Sequence, residues 1–314
     1  MPVRSKFKRP TRATKKKHIS EISVSQKTVL RYRSGIQLFY KWRKSEGLAP
    51  SSDFPELDVQ LGEYINFLYQ NDMPLYRGGD VLAGFKKFYP RCRRLLEIST
   101  AWYYSWVKIT KRNEAMPLHP DVTKAFISCN LLKKEQEFAV ALLVGFLCLL
   151  RGGEILSLNL CDCQFRESNY MKLILRDTKG AKLKKIPFET VILRDPLAIK
   201  SIMYQKSMGV ARLFNGTPGR FYALYKEAVQ YFHLRHERPT PHGIRRGGAS
   251  WHFNLKGSFD ATIEHGRWSS VKSARIYINE AAAEETIHLL SPLGMQRVKD
   301  GVLIYRKLML KAFA

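Results

Sequence analysis

Residues 241–277, PHGIRRGGASWHFNLKGSFDATIEHGRWSSVKSARIY, set His242 and Arg245 three residues apart, then a Gly-Arg-Trp-Ser-Ser turn, then Tyr277 nine positions beyond Trp268. One helical turn separates His242 from Arg245, so both side chains can point at one anion. Cationic and hydrogen-bonding groups followed by a phenol suit chemistry on a phosphodiester. A phenol has an ordinary pKa of about 10 and is a weak nucleophile at neutral pH. Such chemistry therefore calls on the rest of the chain for a second arginine, a proton donor and a surface that holds a polyanion.

The charge balance supplies the last of these. Fifty-three Lys and Arg against 27 Asp and Glu leave +26, with a pI near 10.0. The first eighteen residues hold eight of the bases and no acid, so the remainder still carries +18. A body this basic points to a polyanionic partner, nucleic acid rather than a membrane surface, given the many interleaved aromatics. With 314 residues, 45% hydrophobic and 12% aromatic, the chain is long enough for one to three folded domains. No signal peptide is visible, and the longest apolar run, Phe138–Leu150, is too short to span a bilayer and reads as a buried helix. Cys92, Cys129, Cys148, Cys161 and Cys163 have neither disulfide-framework nor zinc-site spacing and read as reduced thiols of an intracellular protein.

Residues 1–18 read as a basic disordered tail, with Lys15-Lys16-Lys17 and Arg12 either a nuclear-import signal, a DNA-gripping arm or simply solvated. Residues 19–112 read as a small helical domain. Val29, Tyr32, Ile36, Phe39 and Tyr40 mark one helix and Leu61, Tyr64, Ile65 and Leu68 a second. A third is expected from Asp80 to Pro90 and a fourth after Ser99-Thr100. Lys and Arg on the remaining faces (Arg31, Arg33, Lys41, Arg43, Lys44, Lys86, Lys87, Arg91, Arg93, Arg94) suit clamping of a duplex by its phosphates. Residues 113–120, polar and with two prolines, read as a linker, and 121–314 as the second domain. There, helices are expected at 121–132 and 135–150, the latter delivering Arg151. A β-hairpin is expected from 171–176 and 184–188, with Lys179 at its tip. Further helices are expected at 196–207, 220–235, 280–290 and 301–313.

Taken in order, the candidate groups are Arg151 with Glu154, Lys179 in T-K-G, His242 and Arg245 in H-x-x-R, Trp268 in G-x-W-S-S, and Tyr277. Over residues 117–290 this set resembles the tyrosine recombinases, or phage-integrase-type recombinases. The matched groups stand beside departures: Arg246-Gly-Gly and Glu264-His-Gly-Arg267 replace the commoner His-Thr and Leu-Leu-Gly.

The resemblance implies a mostly α fold. An N-terminal helical DNA-clamping domain would precede an α-rich catalytic domain carrying a small antiparallel β-hairpin or sheet. It also implies roles: Tyr277 as nucleophile, Lys179 as general acid with Lys182 its competitor, and Trp268 as an N–H donor where the family carries His or Trp. Arg151 and Arg245 would grip the non-bridging oxygens by paired hydrogen bonds, and Glu154 would orient an arginine or the histidine. Arg246 and His265, neighbours of the matched positions, read as structural or backbone-gripping. No cofactor or divalent metal is required. The implied partner is double-stranded DNA, with four copies on two duplexes. Type IB topoisomerase-like relaxation and a catalytically silent DNA-binding protein are the alternatives.

Overall fold

A computed structural model describes residues 24–50, 53–110, 114–166, 169–235 and 240–314, so the basic tail and its lysine run lie outside the described residues. The chain divides into two units, Met1–Arg112 and Asn113–Ala314.

In the first unit the helical periodicity produces α1 (Gln26–Ser45), α2 (Phe54–Gln70), α3 (Tyr76–Phe88) and α4 (Glu97–Ile109). α1 packs mainly on α3 and α2 on α4, burying Phe39, Leu61, Ile65, Val81 and Phe85 between them. The third helix starts four residues earlier than expected. Asp80 does not cap it but pairs with Arg31 of α1 at 2.5 Å. The start of α4 is held by a long-range cap: the buried Asp58 carboxylate accepts from the Ile98 and Ser99 N–H groups at 2.7 and 3.0 Å and from the Ser99 hydroxyl at 2.5 Å. The charges segregate with the pairing. α1 and α3 hold nine Lys/Arg and one acid, Asp80, whereas α2 and α4 hold four acids and one base, Lys108.

The second unit runs α5 (Pro120–Leu132), α6 (Gln136–Leu147), α7 (Gly152–Ser157), β1 (Cys163–Arg166), β2 (Tyr170–Arg176), α8 (Lys179–Lys184) and β3 (Phe188–Leu193). It continues with α9 (Pro196–Ser207), α10 (Pro218–Tyr231), α11 (His242–Lys256), α12 (Phe259–Gly266), α13 (Val271–Arg275), α14 (Glu280–His288) and α15 (Pro292–Ala312). The fold is thus mostly α with a three-stranded antiparallel sheet of order β1-β2-β3. Burial alternates along β3, whose inner row Glu189, Val191 and Leu193 faces Leu175, Leu173 and Met171 of β2. Among the described residues, no helix is long and apolar enough to cross a membrane.

Several expectations need correction. The connection between the hairpin strands, expected as a turn-like tip around Lys179, contains helix α8. Lys185 takes a positive φ of 57° and Pro187 has no N–H to donate, so the second strand begins at Phe188 instead of ending there. β1 was not anticipated. The last helix begins at Pro292, with Gly301 in its interior packed against Ala125 of α5. Residues 114–119 pack within the second unit: Leu118 is wholly buried, its N–H donates to Gly243 O at 3.1 Å, and Pro117 O accepts from the Thr286 hydroxyl at 2.5 Å.

Candidate active site

Helix α6 is buried from Phe138 to Phe146 and stops at Leu147, three residues short of the expected end. Leu149 adopts φ +50°, an uncommon conformation for a leucine, and turns the chain. Its carbonyl is thereby aimed at the arginines described below. Arg151 then opens α7, and the R-x-x-E spacing proves to be a helix cap. Glu154, at the third position of the helix, accepts from the Arg151 backbone N–H at 2.9 Å and from the Arg151 guanidinium at 2.5 Å.

The T-K-G motif is likewise local chemistry. Thr178 accepts from the Ala181 N–H at 2.8 Å to cap α8, and its hydroxyl donates to Glu189 Oε2 at 2.7 Å. Lys184 donates to the other Glu189 oxygen at 2.8 Å. A Cβ on Gly180 would overlap that carboxylate, so a larger residue there would displace Glu189 from its hydrogen bonds. The outcome leaves Lys179 exposed at the first position of α8. Burial would raise the pKa of Glu189, but the hydrogen bonds from Lys184 and Thr178 and the charges of Lys184 and Arg267 hold it below the usual range.

Helix α11 begins at His242 and carries a face almost free of side chains. A Cβ on Gly243, Gly247 or Gly248 would overlap the carbonyls of Met116, Leu118 and Phe146 respectively. The Arg246-Gly-Gly departure is therefore what lets α11 lie directly on the 116–118 segment and the end of α6. Arg245, on the same helix, is fully buried and donates to Leu149 O and, at 2.7 Å, to Gly266 O. Its guanidinium carbon lies 4.7 Å from the Trp268 ring centre and 5.3 Å from that of Tyr277. Ser270 caps α13, after which Tyr277 hangs from the Ala274 carbonyl at 2.8 Å. Just beyond it, the Asn279 N–H donates to Ser250 Oγ of α11 at 3.0 Å.

These pieces meet at a cavity of about 300 Å³ lined by Arg151, Lys179, Lys184, Arg267, Trp268 and Tyr277, among others. His242 is not part of that lining but meets the Tyr277 ring edge-on at 5.3 Å. Of the two arginines expected to grip one phosphate, Arg151 opens onto the cavity and Arg245 lies beneath the two aromatic rings. Lys182 points elsewhere, 3.8 Å from the exposed Asp177. Arg246 pairs with Glu114 at 2.6 Å. His265 donates from Nε2 to Leu147 O at 2.8 Å and stacks on His252 at 4.4 Å. The indole N–H of Trp268 is buried without a partner among the described residues.

Electrostatically the site is cationic. Burial tends to raise the Glu154 pKa, but Arg267, the Arg151 N–H, and the charges of Arg151 and Arg245 bring it below the ordinary value. Burial, then Arg267 and Arg151, push Arg245 down, with Glu154 and Tyr277 opposing. A guanidinium starts so high that it remains a cation at neutral pH. The edge of His242 is exposed, yet desolvation by its packing and then Arg245, Arg246 and Arg151 hold its pKa below 6.5, so the imidazole is neutral at pH 7.

Arg267, Lys184 and Glu189 were not picked out from the sequence. Arg267 stood in the unusual Glu-His-Gly-Arg run; Lys184 and Glu189 carried no motif at all.

The fold is that of the tyrosine recombinases and integrases. Among solved structures, the chain is similar to a lambda integrase dimer bound to a COC′ core site. The TM-score is 0.57 and the identity 13%, over 82% of this chain and 73% of that one. It is similar also to the Tn1549 transposon integrase in complex with circular intermediate DNA (TM-score 0.57, 17% identity, 83% of this chain and 94% of that one). A lambda integrase tetramer bound to a Holliday junction matches with a TM-score of 0.52 at 13% identity, over 83% of this chain and 74% of that one. By sequence, the chain matches no family model and no curated protein.

Proposed function

We propose that this chain breaks and rejoins double-stranded DNA through a 3′-phosphotyrosine on Tyr277. The observation that carries this reading is one cavity lined by a phenol, a guanidinium, an ammonium and an indole, Tyr277, Arg151, Lys179 and Trp268. Tyr277 Oη attacks the phosphorus, the P–O5′ bond breaks, and the strand becomes a 3′-phosphotyrosyl ester and a free 5′-hydroxyl. Neutral His242, against the phenol ring, takes the phenol proton, and Lys179 gives a proton to the departing O5′. A 5′-hydroxyl of a second DNA end then attacks the same phosphorus and restores the phenol, so the bond energy is kept. Arg151 and the Trp268 N–H bind the non-bridging oxygens, while Arg245 adds charge from beneath. The basic α1/α3 side of the first unit suits phosphate contacts. Four copies acting on two duplexes fit the likeness to the lambda integrase tetramer.

A pool of nicked duplexes of random sequence, from which the short cleaved strand escapes, tests the reading. The wild-type chain should leave a covalent protein–DNA band on a denaturing gel and Tyr277→Phe should not. Equal yield from the two rejects the nucleophile.

A further inference from the structure

Arg267 lines the same cavity, and the reaction above leaves it without a task. It is 6% exposed and held at φ +60°, a conformation that favours glycine. One NH group donates to Glu154 Oε2 at 2.7 Å and the other to Cys148 O at 3.1 Å, while its Nε is buried without a partner among the described residues. Burying a guanidinium on a strained backbone is costly, and a well-packed apolar side chain would fill the volume more cheaply.

The arithmetic of charge gives it a use. Glu154 is shared by Arg151 at 2.5 Å, Arg267 at 2.7 Å and Arg245 at 3.9 Å, so three cations face one carboxylate and two positive charges remain in surplus. Lys184 is matched by Glu189, and the charge of Lys179, which lines the same cavity, is spent with the proton it gives to O5′, so neither alters the surplus facing the non-bridging oxygens. Were Arg267 absent, Glu154 would cancel half the charge of Arg151 and Arg245, leaving a surplus of one. A DNA diester carries one negative charge, and a second gathers on the non-bridging oxygens as the phenol oxygen adds to phosphorus.

We propose that Arg267 is a positioning residue that occupies Glu154 and so raises the site's charge from one that matches the bound diester to one that matches its transition state. This rests on the phosphotyrosine reading. Its signature is a change in rate with little change in DNA affinity.

The experiment compares the full-length chain with Arg267→Gln on the nicked duplexes that wild type captures, and on the same duplexes with an uncharged methylphosphonate at the cleaved position. On the natural phosphate, Arg267→Gln should form adduct about a hundredfold more slowly at nearly unchanged DNA affinity, the scale of losing one oxyanion partner. On the methylphosphonate, which is neutral when bound and gathers one charge rather than two in the transition state, a surplus of one suffices and most of the gap should close. A gap of the same size on both substrates means that Arg267 is merely structural, and no gap on phosphate means that it is idle; either overturns the proposal. If Arg267→Gln does not fold, the double variant Arg267→Gln/Glu154→Gln replaces it. That change restores the surplus of two, so the rate should lie within about tenfold of wild type, and a folded double variant slower by about a hundredfold overturns the proposal. A wild type that forms no adduct on phosphate defeats the phosphotyrosine reading itself, which is distinct from a failure confined to Arg267.

Discussion

Gly247 of α11 and Leu118 meet backbone to backbone: a methyl group built on Gly247 would overlap the Leu118 carbonyl oxygen and crowd its nitrogen. Neither partner is a side-chain end that can swing aside. Gly247→Ala should therefore push α11 off the 116–118 segment and destabilise the second unit by about 1–3 kcal/mol, the usual range for overpacking. In a unit of this size that is a fall in Tm of roughly 2–12 °C. Because α11 also carries His242 and Arg245, adduct formation should decline at temperatures where the variant is still folded. An unchanged melting curve would contradict the packing described here.

Lys179 and Lys182 lie one helical turn apart on α8, yet only Lys179 lines the cavity. Lys179→Ala should slow strand cleavage by about 10²–10⁴, the range for loss of a general acid, and Lys182→Ala should behave as wild type. Replacing the bridging 5′-oxygen with sulfur should restore Lys179→Ala, since a thiolate leaves without needing a proton. Rescue of Lys182→Ala instead would exchange the two assignments.

Asp58 caps α4 from another helix, so its role separates cleanly from its charge. Asp58→Ala strands two backbone N–H groups that it now satisfies and should cost about 2–4 kcal/mol, two lost partners at about 1–2 kcal/mol each. Asp58→Asn retains an acceptor oxygen and should cost markedly less. Urea unfolding of both variants checks the order, and equal losses would mean that the carboxylate charge matters more than the cap.

His252 packs between α11 and α12, where burial, then His265 and Lys256, push its pKa down to about 4. A depressed histidine binds its proton more tightly when unfolded. Stability should therefore be complete above pH about 6.5 and fall as the pH drops toward about 4, by on the order of 2–4 kcal/mol. His252→Asn, which keeps a donor for the Thr262 hydroxyl, should flatten this slope. Titrating the unfolding midpoint from pH 7 to pH 4 in both proteins decides the matter; parallel slopes would exonerate His252.

Three of the residues chosen from the sequence, Arg151, Lys179 and Tyr277, line one cavity, and each of the three sits in a short local device. Arg151 is fixed by its own Glu154, Lys179 by Thr178 and Gly180, and Tyr277 by the Ser270 cap. Spacing within a few residues records such devices. Arg267 escaped because its meaning lies in partners more than a hundred positions earlier, Glu154 and Cys148. The packing of residues 114–119 was hidden for a related reason. The prolines and polar groups of residues 113–120 look like a linker, and the burial of Leu118 depends on a glycine face that arrives only with α11. Helix α8, six residues long, is too short for a periodic signal.

The four helices of the first unit, with their bases along α1 and α3 and their acids along α2 and α4, form an electric dipole. In the field of a long polyanion such a body feels a torque as well as an attraction. It turns its α1/α3 side forward before any contact forms, and a collision that begins in the wrong orientation is corrected in flight. The benefit falls on the rate of productive encounter and fades as salt shortens the screening distance to about 10 Å at 0.1 M.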